Sequence, residues 1–320
     1  MYLRRFLIWS LVAIPLCAQR GPTPAQVEAA ARLRAWIESA PKLPLEQTDV
    51  AVQLPEGQEL GMVSWLARDP KSGVVWLIQR GDKADPVIAV DPAGRILHSF
   101  GKGLYTIPHS IRLDPDGNIW TVDAGSSTVL KFSPKGEKLL QIDVGGQPAT
   151  NAAFKGTTDI TFARNGRIFI SDGYANARIL EYTAAGAKVR EWGEHGTGPG
   201  QFHLPHSIVV DENDILYVAD RENGRIEKFD LEGKFLGEFS NLGRTYSLKL
   251  GANGTLWAGM APLSDPTGSP GWVVKLDRRT GAILGYVPVD GKSGLHSVED
   301  AGNGQPMTNL GNKAVWFKSH

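Results

Sequence analysis

His206-Ser-Ile-Val-Val-Asp-Glu-Asn-Asp-Ile-Leu-Tyr-Val-Ala-Asp220, followed by Arg225-Ile-Glu-Lys-Phe229, decides the fold of this 320-residue chain. Two short apolar runs flank a polar turn, and a third follows a charged turn at 221–224. Runs this short, rich in Ile, Val and Tyr and bounded by Asp, Asn and Gly, suit strands rather than helices. The same pattern appears as His109-Ser-Ile-Arg-Leu to Asp123 with Val129–Phe132, and as Thr158-Asp-Ile-Thr-Phe to Asp172 with Arg178–Tyr182. Weaker copies begin near Val63, Tyr246 and His296, so successive anchors lie 40 to 50 residues apart. That period, with four short strands per unit, belongs to blades arranged around a channel rather than to a helical solenoid.

Six anchors therefore predict an all-β, six-bladed β-propeller. Asp116-Gly117, Asn165-Gly166 and Asn253-Gly254 supply hairpin turns between the apolar runs. The last unit ends at Trp316-Phe317-Lys318, one strand short, and Asp49–Leu54 is expected to complete it. The Trp and Phe residues are read as core between blades.

Upstream of the repeats, Arg4 and Arg5 precede an apolar stretch from Phe6 to Leu16, then Cys17 and Ala18. This is the pattern of a cleaved signal peptide, and the apolar run is too short to anchor a chain in a bilayer. The expected organisation is a signal peptide at 1–18, a helical extension at 19–48 and the propeller at 49–320. Within the extension, Val27, Ala30, Leu33 and Ile37 are spaced for one short surface helix ended by Pro41 and Pro44. The chain is expected to be exported, periplasmic or secreted, with no stable membrane span once the signal is removed. Lys and Arg total 34 and Asp and Glu total 34, so no net field favours nucleic acid as a partner. A small-molecule or peptide substrate is the expected partner; the sequence leaves the oligomeric state open.

Seven histidines are present, and three open the innermost strand of their repeats: His109, His206 and His296. The counterparts in the intervening blades are read as Val63, Thr158 and Tyr246. Histidine thus marks alternate blades, about 120° apart around a six-fold ring, so three imidazoles converge on the axis at one depth. Three His with an open fourth position is how a catalytic Zn²⁺ is held. Strand-capping histidines that merely bond backbone are the alternative. His98, His195, His203 and His320 lack this register and are read as loop or surface residues. The turns at Asp172–Arg178, Asp220–Arg225 and Gln79–Asp82 correspond in their repeats and bring Tyr174, Arg221 and Arg80 toward the same end of the channel. Arginine can clamp a carboxylate through parallel hydrogen bonds, and a phenol beside a dication can serve as base. Arg178 and Arg225 are read as structural punctuation of these turns.

At Ser171-Asp-Gly-Tyr-Ala-Asn-Ala-Arg178, Pro199-Gly-Gln-Phe202, Pro205-His-Ser207 and Val218-Ala-Asp-Arg-Glu-Asn-Gly-Arg225 the chain resembles the peptidyl-α-hydroxyglycine α-amidating lyases, which are NHL-type propellers. Pro108-His109, Asp116-Gly-Asn-Ile-Trp120 and Gln79-Arg80-Gly-Asp82 extend the likeness. The resemblance implies zinc on His109, His206 and His296, a base at Tyr174, and arginines Arg80 and Arg221 at the substrate carboxylate and its reacting oxygen. It also implies cleavage of the C–N bond of a peptidyl-α-hydroxyglycine, giving an amide and glyoxylate. In these lyases the third His is usually followed by an Asp that helps bind a structural Ca²⁺; here Ser297 follows. Two other readings stay open: a non-catalytic propeller binding a peptide or glycan, with any zinc structural, and a lactonase-like hydrolase with channel calcium. Three imidazoles argue against the latter, since Ca²⁺ prefers oxygen ligands.

Overall fold

The computed structural model describes residues 23–148, 151–263, 271–289, 294–302 and 304–319. The segment expected to be a signal peptide, residues 1–18, and His320 lie outside them. Twenty-four strands form six antiparallel four-stranded sheets. The innermost strands are Val63–Arg68, Pro108–Leu113, Thr157–Phe162, Pro205–Val210, Arg244–Leu250 and Gly294–Gly302. Each packs on the innermost strand of the next blade, and the sixth packs on the first. This is the six-bladed propeller that the repeats predict.

Three strands of blade six come from the C-terminus, and the fourth is Glu46–Val50, paired antiparallel with Lys313–Lys318 so that Thr48 faces Trp316. The closing strand therefore starts earlier than the expected Asp49–Leu54, of which only Asp49 and Val50 pair with it. Beyond Val50 the chain leaves the sheet edge, and Gln53 bridges to Arg95 of blade one. Val50, Val52 and Leu54 pack with Val63, Leu66 and Met307 over the seam between blades six and one. Their apolar pattern reflects that seam as much as strand pairing.

The helix spans Pro24–Glu38, with Thr23 and Gln26 forming a reciprocal capping box and Pro24 in its first turn. Leu33 and Ile37 bury its inner face against blade five beside Leu242 and Trp272. Between blades, Trp65, Trp120, Trp257, Phe132, Phe169 and Phe229 are fully buried. Truncating one such ring to Ala typically costs about 3–5 kcal/mol, so these side chains hold the ring shut.

One irregularity recurs. In blades one to five, the pairing of the innermost strand with its neighbour slips at the same place: between Val63 and Trp65, Pro108 and Ser110, Thr157 and Asp159, Pro205 and Ser207, Thr245 and Ser247. Blade six has a longer break between Gly294 and Val298. The skipped residues are Ser64, His109, Thr158, His206 and Tyr246, with His296 inside the blade-six break. A bulge leaves one residue unpaired and re-aims its side chain. Here the bulges direct a ring of residues toward the channel. Blade one's counterpart is Ser64, not Val63: Val63 pairs with Gln79 and is core. A one-residue slip exchanges the two faces of a strand, which is why reading blade one by pattern alone misplaced it.

Candidate metal centre and active site

The bulges bring His109, His206 and His296 together. Their ring centroids are 4.5–4.9 Å apart. Their ligand atoms all lie within 4.8 Å of one another, and all three residues are buried. Each Nδ1 sits on the backbone carbonyl of the bulge residue one blade on: His109 on Thr158 at 2.6 Å, His206 on Tyr246 at 2.5 Å and His296 on Ser64 at 2.9 Å. A carbonyl only accepts, so Nδ1 carries the proton and Nε2 keeps its lone pair. Burial is the main force that pushes all three well below ordinary imidazole values, His296 to about 3, with the neighbouring His and Arg charges adding to it. Three neutral imidazoles, each oriented through its outer nitrogen, form a site that could hold a metal ion. The imidazole donors fit zinc.

Tyr174 lies directly over this triad. Its hydroxyl is 2.8 Å from His109 Nε2 and 3.1 Å from His206 Nε2. The turn that carries it is pressed against blade four: a Cβ on Gly173 would meet the Pro205 carbonyl oxygen at 2.3 Å. Tyr174's own N–H donates to the Gly156 carbonyl. Burial raises the phenol's pKa, while the charges of Arg221 and Arg80 act to lower it.

The two arginines stand around the phenol. Arg80 Nε donates to the Pro108 carbonyl at 2.9 Å, one Nη donates to Ser64 Oγ at 2.9 Å, and the guanidinium lies over Phe154. Phe154 in turn packs on Tyr174, with centroids 4.6 Å apart. Arg221 donates from Nε to Glu222 at 2.9 Å and lies over the rings of Tyr174 and Tyr246. Arg80, Tyr174 and Arg221, from blades one, three and four, thus meet at the His end of the channel. Arg178 and Arg225 instead lock their own turns through Asp172 and Asp220, at 2.8 and 2.9 Å. Among the remaining histidines, His98 bonds the Lys135 carbonyl, and His195 and His203 are exposed.

The position that would supply a calcium ligand does not fit one. Ser297 donates from its backbone N and from Oγ to Asn309 Oδ1, at 2.8 and 3.0 Å. Among the described residues the His triad is the one group of three His, Cys, Asp or Glu donors placed to hold a metal.

Three site residues were not singled out from sequence. Trp65 lies beneath the triad, 5.6–6.3 Å from each imidazole, with Arg112 over its ring at 5.0 Å. Phe154 and Tyr246 wall the mouth. Tyr246 shares the register of the histidines and was legible on that ground; Trp65 and Phe154 carried no chemical signal apart from their size.

A family model described as a 6-bladed beta-propeller matches residues 150–296. Peptidylglycine alpha-amidating monooxygenase of Rattus norvegicus is 35% identical over 206 residues, covering 54% of this chain and 21% of that protein. Peptidyl-alpha-hydroxyglycine alpha-amidating lyase 1 of Drosophila melanogaster is 33% identical over 169 residues, covering 48% of this chain and 31% of that protein. The chain thus spans well under half the length of these two relatives. Among solved structures, a streptogramin B lyase superposes with a TM-score of 0.59 at 16% identity, over 86% of this chain and 98% of that one, which supports the fold alone. The chain is a six-bladed β-propeller that resembles, in sequence, the peptidyl-α-hydroxyglycine α-amidating lyases.

Proposed function

We propose that this chain is a zinc-dependent lyase that cleaves the C–N bond of a peptidyl-α-hydroxyglycine or a related α-hydroxy-amide, giving an amide and glyoxylate. The observation that carries the reading is the Tyr174 hydroxyl, poised between two imidazole Nε2 atoms of a buried three-His site and flanked by two guanidinium groups. His109, His206 and His296 would hold zinc through Nε2, and the ion would supply a Lewis acid for the substrate's α-hydroxyl. Arg80, fixed by Pro108 and Ser64, binds the substrate carboxylate and turns the α-carbon toward the triad. Tyr174, whose phenolate form the two guanidinium groups and a bound dication would favour against the opposing effect of burial, takes the α-hydroxyl proton. The O–H electron pair becomes the carbonyl of glyoxylate as the Cα–N bond breaks, and Tyr174 returns its proton to the departing nitrogen. Atoms balance without water or redox change. Arg221, beside the phenol, faces both the substrate carboxylate and the negative charge that develops on the reacting oxygen.

Export through the N-terminal segment, and a small-molecule or peptide substrate, belong to the same proposal. Among the described residues no helix is long and apolar enough to cross a membrane. The test is metal analysis of the purified chain together with glyoxylate release from an N-acyl-α-hydroxyglycine. About one zinc per chain with glyoxylate release supports the lyase. Bound zinc without release from any such substrate leaves the non-catalytic propeller, with a structural metal.

A further inference from the structure

The ring of bulge residues alternates two chemistries. Histidine occupies 109, 206 and 296; a hydroxyl residue occupies 64, 158 and 246. Two of those hydroxyls are committed to backbone: Ser64 Oγ donates to the His109 carbonyl at 2.6 Å and Thr158 Oγ1 to the Pro205 carbonyl at 2.8 Å. Both residues are fully buried. Tyr246 differs. It is half-buried, and its ring stands at the mouth rather than inside the ring of strands.

Its placement mirrors that of Tyr174. Each phenol ring lies 5.8 Å from His206, at an interplanar angle of 83°. Both offer their faces to one guanidinium: Arg221 Cζ is 5.9 Å from the Tyr174 ring and 5.2 Å from the Tyr246 ring. Glu222 joins the set from the other side, accepting from Arg221 Nε at 2.9 Å and from Arg244 Nε at 3.0 Å. A long arginine on a turn has many rotamers to lose on ordering. Two aromatic faces and one carboxylate leave this one few.

We propose that Tyr246 is a positioning residue: its ring face holds Arg221 over the mouth of the three-His site, and so sets the affinity for carboxylate-bearing substrates. The proposal rests on reading the triad and Tyr174 as the active site. Glu222 alone would hold the Arg221 guanidinium along its own turn, where it neutralises a protein carboxylate rather than a ligand. The Tyr246 face makes the guanidinium available without adding a second anion to compete with substrate, and a cation over an aromatic face is favourable at partly exposed sites.

The test compares Tyr246→Phe, which keeps the face, with Tyr246→Leu, which removes it. Calorimetry with N-benzoylglycine, which has the carboxylate but no α-hydroxyl to react, is set against the uncharged N-benzoylglycinamide. Tyr246→Phe should bind N-benzoylglycine within about threefold of the parent chain, and Tyr246→Leu about tenfold more weakly. Neither should change affinity for the amide or the metal content. On a cleavable anionic substrate, Tyr246→Leu should raise KM and also lower kcat, because the same guanidinium faces the charge that develops on the reacting oxygen. Equal binding by the Leu variant and the parent, equal loss for both ligands, or a Phe variant that behaves like Leu would each overturn the proposal. Tyr246→Met replaces the Leu variant if thermal melting shows that the latter does not fold. The two readings fail separately: a charge-dependent loss in a chain that releases no glyoxylate keeps the positioning role and sinks the lyase. Cleavage by a chain indifferent to Tyr246→Leu does the reverse. A parent chain that binds neither ligand overturns both.

Discussion

The two ends of the central channel are built from the same six strands and have opposite chemistry. At the end where the strands begin, each His is held through Nδ1 by a backbone carbonyl, and three lone pairs converge with nothing in the protein to neutralise them except one phenol. Beneath Trp65 and on toward the far end, where the same strands finish, charges answer one another. Arg112 makes two hydrogen bonds to Asp159, at 3.0 and 2.6 Å, and Lys249 pairs with Glu299 at 2.5 Å. The far end nevertheless opens into a cleft of about 730 Å³, reaching Trp76, Arg112, Phe162 and Glu299. Volume is therefore a poor guide to chemistry in this molecule. What distinguishes the His end, among the described residues, is a set of three oriented donors placed to hold a metal. Trp65, between the triad and Arg112, separates the two ends.

That contrast can be tested from both sides. The largest effect is expected from Tyr174→Phe, which removes one hydroxyl that is not a metal ligand. Turnover should fall about 10²–10⁴-fold, with metal content and melting temperature unchanged; full activity would show that the base lies elsewhere. Asp159→Ala acts on the other side of Trp65. It leaves Arg112 buried beside Trp65 without its partner, and breaking a buried pair costs about 3–5 kcal/mol. Denaturant unfolding should show the loss directly, and an effect below 1 kcal/mol would mean that the pair does not hold the channel together. Ser64→Ala removes the acceptor for Arg80 and the donor to the His109 carbonyl. A lost buried hydrogen bond costs about 1 kcal/mol, so stability should drop slightly, while KM for anionic substrates rises a fewfold because Arg80 is less well fixed. The smallest effect should come from Lys249→Met combined with Glu299→Gln, which removes the far-end charges together. Turnover and KM should stay within about twofold, since replacing both members of a buried pair is often near neutral. A large change in KM would show that the far cavity takes part in substrate binding, and the contrast between the ends would collapse.

Much was legible in the chain. The repeat of apolar runs and turn residues set six blades, because strands of this length can bury their faces only by stacking around an axis. The alternate placement of His109, His206 and His296 followed from the same register, as did the missing outer strand after Lys318. The turns holding Tyr174, Arg80 and Arg221 could be matched between blades, since Asp, Gly and Arg recur there at fixed offsets. Local pattern could not resolve where strand pairing slips. Ser64 and Val63 differ by one residue and by the whole face of a strand, and the bulge at Ser64 depends on Val63 pairing with Gln79 and Trp65 with Ile78 in the neighbouring strand. The closing strand shifted to Glu46–Val50 for a related reason: Val52 and Leu54 found a better apolar partner in the blade-one seam.

The sequence by itself determined the number of blades, the identity of the three imidazoles and the phenol above them, because those depend on periodicity and residue type. Tertiary structure alone decided that each imidazole is turned by a carbonyl one blade on. Backbone oxygens have no residue identity, and their positions exist only once the ring is closed. It decided likewise that Arg221 lies against Tyr246 and that Trp65 floors the site, contacts between residues 25 or more positions apart that no local pattern encodes. The same closure made Arg112 and Asp159 partners, since burial in a shared low-dielectric channel penalises any charge that does not find its opposite.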